Sequence, residues 1–189
     1  MNESSAFKIA FIGSHGVGKT TLCYGLAARL KARDVSLEVV GEIARRCPLP
    51  INRGTNLAAQ SWILHTQIAE ELLAASRHRT VICDRSVLDN YVYLLLAAGH
   101  QPALEALLAY WLTTYSLLVH VPIIEELRPD GLRSTDPAFQ EVVEYRLRQE
   151  IARCDLKVLD LEGIPRERWL DLVEKAAWAE LAPGQLELL

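Results

Sequence analysis

The sequence predicts an α/β domain with a parallel β-sheet covered by helices on both faces. Two observations carry this. Short apolar runs alternate with longer helical patterns along nearly the whole chain, and the first apolar run empties into a glycine-rich segment that opens a helix. The 189 residues suffice for one domain with a full core, so a single domain over residues 1–189 is expected. Half the residues are apolar and 23% are charged, a globular composition.

Phe7–Gly13 is an apolar run ending at glycine, which predicts a buried strand. Lys19–Ala32 has helical character. Leu37–Gly41 reads as a second strand, and Leu57–Ser76 as a long helix with apolar residues at helical spacing. Thr80–Cys83 is a third strand that runs into Asp84. Val87–Ala98 and Ala103–Thr114 are two helices broken at Gly99–Pro102. Leu117–Val121 is a fourth strand, stopped by Pro122. Asp136-Pro137 has the chemistry of a helix start, with Asp as cap and Pro at the first helical position. Leu156–Leu161 is a fifth strand, and Glu167–Leu181 a last helix ended by Pro183-Gly184.

Sheets of this kind bind ligands beyond the carboxyl ends of their strands. The first such end, Gly13-Ser14-His15-Gly16-Val17-Gly18-Lys19-Thr20, satisfies the P-loop pattern G-x-x-x-x-G-K-[ST] in full. Its glycines let the backbone turn successive N–H groups toward phosphate oxygens, and the following helix directs its positive end there. Lys19 is expected on the terminal phosphates, Thr20 on Mg²⁺, and Thr21 on a further phosphate oxygen. His15 reads as a tolerated loop position. The expected ligand is ATP with Mg²⁺.

Glu42 ends the second strand. It reads equally as an acceptor-facing carboxylate or as a partner of Arg45 and Arg46. Asp84-Arg85-Ser86 ends the third strand. Asp84 there suits Mg²⁺ and Arg85 a phosphate or reacting oxygen, against the plainer reading of an Asp helix cap. Whether Glu42 or Asp84 is the base stays open. The polar stretch from Glu125 to Asp136 holds Pro129, Gly131, Arg128 and Arg133, and reads as a lid that closes its arginines over the phosphates, or as an ordinary charged loop. Most aromatic residues are expected in the core, with Tyr91 or Tyr93 a weak candidate to stack on a substrate base.

Taken together, these motifs resemble those of the P-loop nucleoside and nucleotide kinases, nearest to the ribosylnicotinamide-kinase domain of NadR-type proteins and their ATP-binding relatives. The resemblance rests on the P-loop, Gly41-Glu42-Ile43-Ala44-Arg45, Cys83-Asp84-Arg85-Ser86 and Asp130-Gly131-Leu132-Arg133-Ser134, and spans about Phe7 to Leu161. It implies a P-loop NTPase fold with a five-stranded parallel sheet of the nucleoside-monophosphate-kinase type. It further implies Glu42 or Asp84 as base, Arg85 near the transferred phosphate, Arg128 and Arg133 in the lid, and Leu161-Glu162-Gly163 beside adenine. No adenylyltransferase or DNA-binding segment is read, so the bifunctional NadR arrangement is not expected.

The resulting expectation is a kinase that moves the γ-phosphate of ATP to a nucleoside-like or nucleotide-like acceptor. The alternative is a regulatory ATP-binding or ATPase module. The missing Asn-Lys-x-Asp disfavours a GTPase. A net charge of −4 argues against nucleic acid as a partner. The absence of an apolar run of membrane-spanning length and of a signal-peptide pattern argues for a cytoplasmic protein. The scattered Cys23, Cys47, Cys83 and Cys154 are expected as reduced thiols. Homo-oligomer formation is left open.

Overall fold

The computed structural model describes residues 6–51, 54–124 and 136–181. Five strands form one sheet: β1 (Phe7–Ile12), β2 (Leu37–Val40), β3 (Thr80–Asp84), β4 (Leu117–His120) and β5 (Val158–Asp160). Their order is β2-β3-β1-β4-β5, and every pairing is parallel. Central β1 matches Phe11 to Asp84 of β3 on one side and to Val119 of β4 on the other.

The period of two along β1 divides the core. Ala10 and Ile12 pack into one apolar cluster, Ile9 and Phe11 into another, and all four are fully buried. The first cluster takes residues from α2 (Leu57–Ala75), α3 (Val87–Ala98), α4 (Pro102–Leu112) and α5 (Pro137–Arg153). The second takes residues from α1 (Lys19–Lys31) and α6 (Trp169–Leu181), including the buried Trp169.

The expected helix starts have local causes. Asn56 accepts from the Ala59 amide at 3.0 Å, and Asp136 from the Ala138 amide at 3.0 Å with Pro137 behind it. Gly99, at φ +71°, ends α3. Most boundaries shift by a residue or two, and a few departures are larger or new. A 3₁₀ turn, Ile43–Arg46, follows Glu42 directly. The last α-helix begins at Trp169 rather than Glu167, because Arg166–Arg168 close a tighter 3₁₀ turn first. The fifth strand keeps only Val158–Asp160 of the six residues from Leu156 to Leu161.

Candidate functional site

The P-loop joins β1 to α1 at the carboxyl edge of the sheet. Gly13 has φ +148°, and a Cβ there would lie 2.4 Å from the Val121 carbonyl oxygen beyond β4, so only glycine fits between the two strands. Gly18, at φ +96°, occupies the cap position of α1 and makes no side-chain cap, leaving the first turn of that helix open to an anion. Lys19 is 4% exposed, and its ammonium donates to the Gly13 carbonyl at 2.8 Å and to the Ser14 carbonyl. Burial, and then the nearby Arg85 cation, bring its pKa down to about 7, against the pull of Asp89, Asp84 and Glu42. Three carboxylates and one guanidinium, from beyond β2, the end of β3 and the first turn of α3, therefore act on its charge.

The Thr20 hydroxyl donates to Asp84 Oδ2 at 2.7 Å, which brings the first turn of α1 to the end of β3. These two oxygen donors suit a hard cation such as Mg²⁺, which takes one or two protein oxygens and fills its octahedron with phosphate and water. Among the described residues no cluster of three or more His, Cys, Asp or Glu offers a separate metal centre.

Arg85 follows Asp84 at φ +100°, an uncommon conformation for a side-chain-bearing residue. It is 5% exposed. Its Nε donates to Glu42 Oε1 at 2.9 Å, and its Nη1 lies 3.8 Å from Asp89 Oδ1 with no hydrogen-bond partner among the described residues. Desolvation opposes the charge on Arg85, but Glu42 and the neighbouring groups outweigh it and the pKa is raised. The other Glu42 oxygen accepts from Arg45 Nε at 2.8 Å. Of the two readings of Glu42, the arginine pairing is seen, with Arg45 and Arg85, while Arg46 bonds Glu70 at 3.0 Å instead. The Tyr93 ring lies 5.3 Å from the Arg85 guanidinium carbon.

Several site residues were not read from the sequence. Asp89 accepts from the Gly13 amide at 3.0 Å through Oδ1, and its Oδ2 takes the Ser86 amide and hydroxyl at 3.0 Å each. One carboxylate therefore ties the P-loop to the end of β3. Ser86-x-x-Asp89 is a capping box, and that spacing was the available signal. The helix-cap role weighed for Asp84 falls to Ser86. His15 is buried: its Nδ1 lies 3.1 Å from the Tyr93 hydroxyl, and its carbonyl accepts from Gln140 Nε2 of α5 at 2.7 Å. Tyr91 is fully buried, its hydroxyl donating to Glu105 at 2.7 Å, so of the two tyrosines only Tyr93 borders the site. Arg166 Nη2 lies 3.5 Å from the Cβ position of Gly18, so the turn after β5 sits beside the P-loop. Arg128, Arg133 and the rest of the expected lid lie outside the described residues. All four cysteines are free. Among the described residues, no helix is long and apolar enough to cross a membrane.

Known proteins share this fold. A family profile described as an AAA domain matches residues 8–168. A thymidylate kinase from Psychrobacter sp. (strain PRwf-1) is 27% identical over 154 residues, covering 70% of this chain and 74% of the relative. A crystal structure of NadR protein in complex with NR superimposes with a TM-score of 0.68 at 20% identity, over 93% of this chain. A second NadR structure, with NAD and AMP-PNP, gives a TM-score of 0.69 at 18% identity. This chain spans 51% of either NadR chain. Deoxyadenosine kinase from M. mycoides with bound dATP gives a TM-score of 0.61 at 14% identity, covering 90% of this chain and 98% of that one. The profile match runs from the second residue of β1 to the last of the turn before α6, so it takes in the P-loop and both strand-end acids, and the chain belongs to the AAA-domain family.

Proposed function

We propose that this protein is an ATP-dependent kinase that transfers the γ-phosphate to a nucleoside-like or nucleotide-like acceptor, ribosylnicotinamide being one candidate. The observation that carries the reading is the buried Arg85–Glu42 pair, at 2.9 Å, set next to an Asp84 that bonds Thr20 of the P-loop at 2.7 Å. A P-loop that only stored nucleotide would need no buried arginine–glutamate pair across from its lysine.

In this reading the loop from Gly13 to Thr21, namely Gly13, Ser14, His15, Gly16, Val17, Gly18, Lys19, Thr20 and Thr21, cradles the triphosphate. Lys19 leaves the Gly13 and Ser14 carbonyls for the terminal phosphates. Thr20 and Asp84 hold Mg²⁺, which supplies charge neutralisation at the phosphate oxygens. Glu42 orients the acceptor hydroxyl and takes its proton, with Arg85 Nε holding the carboxylate in place at 2.9 Å. Nη1 of Arg85, which makes no hydrogen bond among the described residues, is then available to the transferred group. Arg128 and Arg133, outside the described residues, serve the transferred phosphate in this reading, and Leu161-Glu162-Gly163 borders the adenine. The acceptor is a small molecule, and the enzyme works in the cytoplasm.

The test is to incubate the protein with γ-labelled ATP, Mg²⁺ and a panel of nucleosides and nucleoside monophosphates. Label on an organic acceptor is expected. Label released only as inorganic phosphate, whatever the acceptor, would overturn the kinase reading in favour of an ATPase module.

A further inference from the structure

Another buried charge lies apart from these residues. Glu71, toward the end of α2, is 1% exposed, and both its carboxylate oxygens are engaged. Oε2 accepts from Lys8 Nζ and Trp111 Nε1, each at 2.7 Å. Oε1 accepts from the Tyr115 hydroxyl at 2.7 Å and from Gln67 Nε2 at 2.8 Å. The Lys8 ammonium also sits over the rings of Trp111, at 4.4 Å, and Tyr115, at 4.5 Å. Four hydrogen bonds and a paired cation are a large investment in a helix that otherwise packs apolar residues. A buried ion pair is seldom more stable than the apolar contact that would replace it, so stability alone does not account for this cluster.

Two bonds lead out of it, and both end on the same short segment. The Tyr115 hydroxyl, while donating to Glu71, accepts from the Val87 amide at 3.1 Å. Gln67 Nε2 also reaches the Arg85 carbonyl at 3.4 Å, a longer contact. Arg85 and Val87 flank Ser86, so the cluster grips the β3–α3 connection on both sides. Between those grips Arg85 holds φ +100°, a conformation that persists only where the surroundings over-determine it. The Val87 amide is one of the donors that a helix start leaves without an intrahelical partner. Tyr115 supplies its acceptor from 28 residues away in sequence. Burial, followed by the Glu71 carboxylate, pushes the Tyr115 phenol well up, so it keeps the proton it donates.

We propose that Glu71, acting through Tyr115 and Gln67, is a positioning residue that holds the Arg85 backbone so that its guanidinium meets Glu42. The proposal rests on the phosphoryl-transfer reading for its effect on turnover, but not for its effect on the backbone. Two variants separate positioning from plain stability. Tyr115→Phe removes one hydroxyl, and with it both the bond to Glu71 and the acceptor for Val87. Trp111→Phe removes one bond to the same carboxylate and at least as much core packing, but no hydrogen bond to the β3–α3 connection among the described residues.

Hydrogen exchange of the empty protein reads the backbone directly. The Val87 amide is expected to exchange about fivefold faster in Tyr115→Phe, the effect of one net hydrogen bond, and at the wild-type rate in Trp111→Phe. Once an acceptor is known, Tyr115→Phe is expected to lower kcat with the KM for ATP unchanged, while Trp111→Phe keeps wild-type kcat. Faster Val87 exchange in Tyr115→Phe alone supports the clamp even if no acceptor is ever phosphorylated, and then only the kinase reading fails. Equal exchange at Val87 in the two variants, or equal loss of kcat, would overturn the clamp and leave Glu71 a core residue.

Discussion

Replacing Lys19 with methionine should stabilise the empty protein at neutral pH while destroying its hold on nucleotide. The ammonium is buried, and its pKa falls from 10.5 to about 7, first by desolvation and then by Arg85. At about 1.36 kcal/mol per pKa unit, folding bears roughly 5 kcal/mol for this lysine near pH 7. Methionine of similar length removes that cost but strands the Gly13 and Ser14 carbonyls that the ammonium now serves, at about 1 kcal/mol each. The expected net gain is about 3 kcal/mol at pH 7. Its pH dependence has a definite sign. The unfolded lysine keeps its proton up to 10.5 and the folded one releases it near 7. The unfolded state therefore binds more protons across that window, and wild-type stability rises with pH through it. The variant lacks this slope, so its advantage of about 3 kcal/mol falls by about 1.36 kcal/mol per pH unit, vanishes near pH 9 and is reversed by about pH 10. Urea unfolding of both proteins at about pH 7, 8.5 and 10 measures the difference, and calorimetry with ATP measures the lost affinity. A variant no more stable than wild type, with the same pH slope, would refute the idea that the lysine is a desolvated cation kept for function.

Two further outcomes follow from the same kind of reasoning. Burial opposes the proton on His120, but its hydrogen bonds to Glu144 at 2.7 Å and Asp160 at 2.8 Å outweigh it and raise the pKa above 6.5; the stabilisation is full below 6.5 and lost as pH rises through the folded value, so the difference in urea stability between wild type and His120→Gln should shrink with rising pH, and a constant difference would contradict it. Asp84→Asn keeps an oxygen for the Thr20 hydroxyl but removes the charge, so nucleotide binding should lose most of its Mg²⁺ dependence while the metal-free affinity stays near wild type, read by calorimetry with and without Mg²⁺; unchanged Mg²⁺ dependence would remove Asp84 from the metal site.

What could be read in advance was local. Apolar runs give strands, Asp136-Pro137 gives a helix start, and the P-loop follows from its spacing and from the strand before it. What escaped was held together across long stretches of chain. Asp89 bonds Gly13 across 76 residues, and only the fold shows that one carboxylate serves both a helix cap and the P-loop. Glu71 looks like an ordinary polar residue of α2 until Lys8, 63 positions earlier, meets it in the core. Glu42 was ambiguous because its two readings, solvent-side pairing and site carboxylate, differ only in where Arg85 points, and that depends on a positive φ no propensity announces. The start of the last α-helix was displaced by two residues because helix and 3₁₀ turn share the same side-chain pattern over so short a stretch.

The most direct measurement follows the γ-phosphate itself. Wild-type protein and Glu42→Gln are given γ-labelled ATP, Mg²⁺ and the nucleoside and nucleotide panel, and the labelled products are separated. The account predicts that wild type places label on an organic acceptor, and that Glu42→Gln does so on the order of 10²-fold more slowly with ATP affinity retained. Inorganic phosphate as the sole labelled product, at the same rate in both proteins, would contradict it.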